Sequence, residues 1–291
     1  MTAASEAASG KGHRDENFPV ASRLIRPRHR APILAFYRFV RAADDVADNG
    51  GLAPEAKLRL LDRLEASLLG EEDAEPTGVA LRQSLAERGL PPRHAQDLLT
   101  AFRMDVTKLR YADWDELMGY CSYSAMPVGR FVLDVHGQPR ATWPASDALC
   151  AALQVINHLQ DCAADYRDLD RVYVPLDALA DTGSVPEDLR RPAASAGLLS
   201  TIRGLAERTD RLLHQAAPLP LQVEDTRLAL EIAVIVRLAR KLNAWLAVRD
   251  PLSQRVHLRP AGVAALTLLG LFEGLLGRLR RPAAPAESLG R

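Results

Sequence analysis

The chain has 291 residues, enough to bury the core of one large domain or two modest ones. Its 37 basic and 37 acidic side chains cancel, so no strong overall field favours nucleic acid as a partner. Three cysteines, Cys121, Cys150 and Cys162, form no close-spaced pairs. This argues against a disulfide framework or a zinc site and places them as small apolar core residues in a reducing, cytoplasmic setting.

In chain order, the opening MTAASEAASGKGHRDEN lacks the apolar segment of a secretory signal, and residues 1–14 are expected to form a disordered leader. From there the chain is rich in Ala, Leu and Arg, which favour helix, while period-two alternation is nearly absent. Helices are predicted over Ala31–Asp48, Glu55–Leu69, Gly78–Arg88, Arg93–Lys108, Trp114–Val135, Asp147–Asp168, Ala196–Ala216, Gln222–Val248 and Pro260–Leu279. Asn49-Gly50-Gly51 stops the first helix, and Asp113 with Glu116 has the form of a capping box. Pro91-Pro92 and Asp250-Pro251 break the chain. With no repeat at solenoid spacing and no long linker, residues 15–279 read as a single all-α domain.

The last predicted helix contains the most apolar stretch, Ala261–Gly277. It is short for a membrane span and carries Glu273, so a buried helix is expected. Residues 280–291 form a basic, Pro-containing tail whose simplest reading is a solvated end. A sharper reading is peripheral membrane contact, with Arg278, Arg280 and Arg281 beside anionic head groups.

Two acidic pairs stand out on these helices. Tyr37, Arg41, Asp44 and Asp48 follow helical spacing and share one stripe, as do Gln154, Asn157, Asp161 and Asp165. Each stripe is flanked by apolar residues, including Ile33, Phe36 and Val40 on the first and Leu149, Leu153 and Ile156 on the second. A buried carboxylate is costly unless a cation meets it. If the stripes oppose each other in a bundle, four aspartates line one cavity. Carboxylate and amide oxygens suit magnesium, which also takes phosphate oxygens. Arg41 and Arg171 are candidate phosphate donors, with Tyr37 and Tyr173 as neutral donors. A single Asp-x-x-x-Asp is more often a solvated face, which is how Asp168 and Asp170 read, and Asp45 falls off the main stripe. Arg41 has an ordinary alternative, an ion pair with Asp44. His158 reads as a hydrogen-bonded core histidine.

At these residues the chain resembles the squalene and phytoene synthase family, the head-to-head isoprenyl diphosphate synthases. AFYRFVRAADDVAD is similar to the family's first Asp-rich motif. Gln154, Asn157, Asp161, Asp165, Arg171, Tyr173 and Pro175 match its second, of the form Q-x-x-N-x-x-x-D-x-x-x-D followed by R-x-Y-x-P. YCSYSAMPVGR resembles the Y-C-x-x-x-A-x-x-V-G helix, and VRDPLSQRVHL a late basic segment. The likeness runs from about Asp15 to Leu276 in unchanged order.

The resemblance implies an isoprenoid-synthase helical bundle with a central, mostly apolar cavity. It implies magnesium held by Asp44, Asp48, Asn157, Asp161 and Asp165, and an isoprenoid diphosphate substrate. Phe18, Arg41, Gln154, Asn157, Arg171 and Tyr173 would bind that substrate, and Tyr120, Arg41 and Tyr37 would serve catalysis. Within the family the opening ENFPVASRLIRPRHR and the Met126-Pro127 pair make the chain most similar to bacterial hopanoid-pathway members. Those act on presqualene diphosphate, capture water and release hydroxysqualene and diphosphate without NADPH. Phe18, Phe36, Tyr120, Tyr123 and Phe131 would form the cavity wall, beside the departure at Met126-Pro127. Other reactions of the family remain as alternatives: presqualene diphosphate, squalene or phytoene formation. Outside catalysis, the alternative is a helical membrane adaptor.

Overall fold

The structure, a computed structural model, describes residues 24–279. Phe18, the leader and the tail beyond Leu279 lie outside the described residues. The chain opens with α1 (Pro27–Asp48), α2 (Pro54–Leu69), α3 (Pro76–Ala86) and α4 (Arg93–Thr107). The first three begin with proline, whose missing N–H costs nothing in the first turn. On α2, Leu60, Leu61, Leu64 and Leu68 recur at helical spacing and are buried. They pack with Phe39, Leu81, Leu98 and Leu99 into a first apolar cluster. Each such side chain contributes roughly 1.5–3 kcal/mol on leaving water.

Next come α5 (Trp114–Ser124), α6 (Met126–Val135) and α7 (Trp143–Leu169). The single helix predicted over Trp114–Val135 is therefore divided. Ala125 takes φ −127° and ψ −48°, and Pro127, with no N–H to donate, can only start a new helix. Asp113 caps α5 by accepting from Glu116 N at 2.8 Å, but the Glu116 carboxylate returns to Ala112 N at 2.5 Å. The central helix, α7, spans 27 residues and packs against α6, α9 and α11. Its small residues Ala148, Ala151 and Ala152 permit that close approach.

A short α8 (Leu176–Ala180), α9 (Ala196–Ala216), a single-turn α10 (Leu219–Gln222) and α11 (Thr226–Leu246) complete a second apolar cluster. The prediction of one helix over Gln222–Val248 is also corrected. Asp225 accepts from Arg227 N and Leu228 N and so begins α11 after a break. No strand occurs among the described residues. An isolated parallel bridge pairs Arg110 with Val172. The bonds Val172 N to Leu109 O and Leu176 N to Tyr111 O hold residues 171–176 beside the end of α4.

α12 (Pro260–Leu279) follows its predicted bounds but is not the buried helix expected. Only Gly270 and Gly274 are buried, and both face α11. Leu268 is 70% exposed and Phe272 64%. A run this apolar reads the same in sequence whether it faces a core or an exposed surface.

Candidate active site

A cavity of about 540 Å³ lies where the two apolar clusters meet. Its size falls in the roughly 300–1,000 Å³ range of small-molecule sites. α1 supplies Ile33, Phe36, Tyr37, Val40, Arg41, Asp44 and Asp48, one continuous helical stripe. α7 supplies a second, from Ser146 and Leu149 through Gln154, Asn157 and His158 to Asp161 and Asp165. On both helices the apolar residues come first and the aspartates last. The cavity is thus apolar along one part and acidic at the end where α1 and α7 terminate. Helix C-termini carry partial negative charge, which adds to the demand for a cation there.

That demand is visible in the acids themselves. Burial, then Asp48, pushes Asp44 up to about 7, although Arg41 opposes the shift. Burial, then Asp161, pushes Asp165 up to about 7, with Asp48 and Asp105 adding to it from other helices. The four aspartates therefore share one electrostatic environment. Arg41 pairs with Asp44 at 2.8 Å and Asp45 at 2.9 Å. Its helix-local ion pair is present, and Asp45, set aside in the sequence, is the buried half of it. The oxygen donors of Asp44, Asp48, Asn157, Asp161 and Asp165 fit a hard divalent cation.

Arg171 enters from the segment after α7. Asp170 ends that helix in a left-handed conformation, φ 53°, and turns the chain back. Arg171 then donates to Asp48 Oδ1 at 2.5 Å, Ala47 O at 3.1 Å and Asp105 O at 3.1 Å. Asp105, on α4, was not anticipated. Its carboxylate accepts from Tyr120 at 2.9 Å and Tyr173 at 2.7 Å. Burial raises it to about 6, against the pull of Arg171 and both phenols. His158 stacks on Tyr173 with ring centres 3.6 Å apart. Burial, then Arg171, lowers it to about 3, so it is neutral. Its Nε2 meets no hydrogen-bond partner among the described residues, contrary to the expected bonded core histidine.

The cavity thus brings together the described residues expected to hold metal, bind substrate or serve catalysis: Tyr37, Arg41, Asp44, Asp48, Tyr120, Gln154, Asn157, Asp161, Asp165, Arg171 and Tyr173. Phe36 and Phe131 also line it, stacked at 3.9 Å. Tyr123 does not; it is 38% exposed at the end of α5. Met126 and Pro127 do not line it either. They form the break that turns Val128 and Gly129 toward it. Asp168 and Asp170 are surface acids, paired with Arg167 and Arg110. Besides Asp105, the sequence reading missed Glu231, a buried carboxylate on α11 among Leu228, Ile232 and Ile235. Its spacing on an apolar stripe was the available signal.

An all-α bundle enclosing an apolar cavity with two aspartate stripes at one end has the architecture of the helical isoprenoid synthases. The chain belongs to the squalene/phytoene synthase family, whose sequence profile matches residues 12–262. Among its relatives is a hydroxysqualene synthase of Rhodopseudomonas palustris, 61% identical over 260 residues, covering 89% of this chain and 89% of that protein. Another from Zymomonas mobilis is 50% identical and covers 93% and 91%. The crystal structure of a squalene synthase from Alicyclobacillus acidocaldarius matches with a TM-score of 0.69 at 28% identity, covering 92% of each chain. The chain is accordingly a hydroxysqualene synthase-like enzyme of this family.

Proposed function

We propose that the chain converts presqualene diphosphate to hydroxysqualene and diphosphate. The observation that carries this reading is the polarity of one cavity: four aspartates and Arg171 at one end, apolar and aromatic walls along the rest. Magnesium bound by Asp44, Asp48, Asn157, Asp161 and Asp165 would supply positive charge and Lewis acidity at the leaving diphosphate. Arg171 and Arg41 hold the acidic end together and offer guanidinium donors to phosphate oxygens. Gln154, Asn157, Tyr37 and Tyr173 add neutral groups there, and Tyr120 reaches the same end through Asp105.

The carbon–oxygen bond breaks with its electron pair leaving on diphosphate, and a cyclopropylcarbinyl cation remains. Phe36 and Phe131, stacked on each other, form an aromatic part of the wall that keeps bulk water from that cation. One water then adds to the cation and loses a proton, so the alcohol forms without an external reductant. NADPH is not required. A cytoplasmic enzyme touching the membrane from its inner face suits so apolar a product.

Purified protein with magnesium should form the alcohol from presqualene diphosphate without NADPH. Asp48→Asn and Asp161→Asn should abolish turnover and retain the helical circular dichroism. Consumption of farnesyl diphosphate alone, or full activity in both variants, contradicts the reading.

A further inference from the structure

α12 has two faces of opposite character. A Cβ added at Gly270 would lie 2.9 Å from Val234 Cα, and one at Gly274 would lie 3.0 Å from Leu230 Cδ2. The glycines therefore let α12 lie close along α11. On the other side Ala261, Ala265, Leu268, Phe272, Leu275 and Leu279 fall on one narrow stripe at about 100° per residue. All six are exposed, Leu279 to 84%. Single exposed apolar residues are ordinary, but a continuous stripe marks an interaction surface.

The stripe runs directly into a basic pocket. Ala261 and Ala265 also line a second cavity of about 730 Å³, whose charged walls are Lys241, Arg249, Arg255 and Arg259. No carboxylate among the described residues lines it. None of these four cations makes an ion pair among the described residues. Trp245 lies between two of them, its ring centre 5.2 Å from Lys241 Nζ and 4.0 Å from Arg249 Cζ.

α12 is long and apolar enough to cross a membrane, but it is fastened to the bundle. Arg278 donates to Val223 O at 2.8 Å and Glu224 O at 2.9 Å, and Arg237 pairs with Glu273. Held this way, it can lie on a surface rather than pass through it. An apolar stripe beside uncompensated cations matches an anionic interface.

We propose that α12 docks on an anionic phospholipid bilayer, its Leu–Phe stripe at the acyl boundary and a lipid phosphate headgroup in the basic pocket beside it. The proposal is independent of the reaction assigned to the central cavity.

The test is flotation of the full-length protein with vesicles of phosphatidylcholine alone or mixed with phosphatidylglycerol. The protein should float with the anionic vesicles, more weakly with the neutral ones, and less as salt rises. The double variant Arg255→Glu, Arg259→Glu should lower binding about tenfold or more. Leu268→Ser with Phe272→Ser should release the protein as well. Turnover of detergent-dispersed substrate, measured separately, should stay at the wild-type level in both variants. Absence of flotation, or flotation unchanged by charge reversal, overturns the proposal. Diphosphate binding that is lost in Arg255→Glu while flotation is unchanged assigns the pocket to free phosphate and also overturns it. So does a dimer in sedimentation that Phe272→Ser dissociates without affecting flotation.

Discussion

Arg171 donates to Asp48 at 2.5 Å, joining residues 123 apart in the chain. The cation is buried, whereas Asp48 keeps 40% of its side chain exposed. One guanidinium thus serves three acceptors on two helices: the acid of α1, the carbonyl of Ala47 at that helix's C-terminus, and the carbonyl of Asp105 on α4. Burial alone would depress its ionisation, but Tyr173, Asp105 and Asp48 hold it firmly protonated. The first aspartate motif is positioned by the residue that follows the second.

Arg171→Gln should therefore reduce both stability and turnover. It leaves the half-exposed Asp48 without its partner and two carbonyls without their donor, a loss of about 1–3 kcal/mol. Arg171→Lys keeps the charge but not the three-way fork. Its expected signature is a smaller fall in melting temperature, with metal affinity weakened about 10- to 100-fold. Thermal denaturation and magnesium titration measure the two effects separately.

Asp44 and Asp165 carry a pH dependence of known sign. Both sit near 7 when folded, above the ordinary 3.8. Between those values the folded state binds more protons than the unfolded one, so stability falls as pH rises. The penalty is absent well below pH 4, grows toward 7 and is constant above it. In metal-free protein, Asp44→Asn and Asp165→Asn should each raise the melting temperature at pH 8, and the gain should fade as pH falls toward 4. The same variants should lose turnover. A melting temperature below wild type at pH 8 would contradict this account of the acidic end.

Tyr120 and Tyr173 converge on Asp105. Tyr120→Phe removes one donor to a buried carboxylate, a stability loss of about 1.5–3 kcal/mol. Because that donor holds Asp105 down, the acid should titrate at higher pH in the variant. The acidic limb of the pH–rate profile should move upward with it. An unmoved limb would mean that Asp105 does not report on turnover.

Glu231 lines the cavity among Leu228, Ile232 and Ile235, and a carboxylate there would accept a hydrogen bond from a captured water. Glu231→Gln should keep diphosphate release but lower the alcohol formed per diphosphate, with elimination products replacing it. Product ratios by gas chromatography, set against released diphosphate, test this. An unchanged ratio removes Glu231 from water capture.

Much of this arrangement was legible in the sequence because helical periodicity is strong. Ala196–Ala216 and Pro260–Leu279 follow their predicted bounds, and both aspartate stripes line one cavity. What stayed hidden depends on distant contacts. Asp105 is an isolated acid until residue 173 is brought beside it. Tyr120 and Tyr123 sit in similar sequence, yet one is buried and the other faces solvent as α5 ends. Pro127 was visible, but its effect on the helix needed the Ala125 backbone. α12 is apolar nearly all round, and no hydropathy pattern separates a core helix from an interfacial one.

In the proposed reaction the acidic end ionises the substrate and the apolar part admits one water. Reaction of purified protein with magnesium and presqualene diphosphate in ¹⁸O-labelled water measures it most directly. Hydroxysqualene should carry one ¹⁸O atom for each diphosphate released with no NADPH present, and no alcohol should form after metal chelation. Product without the label, or turnover that requires NADPH, would contradict it.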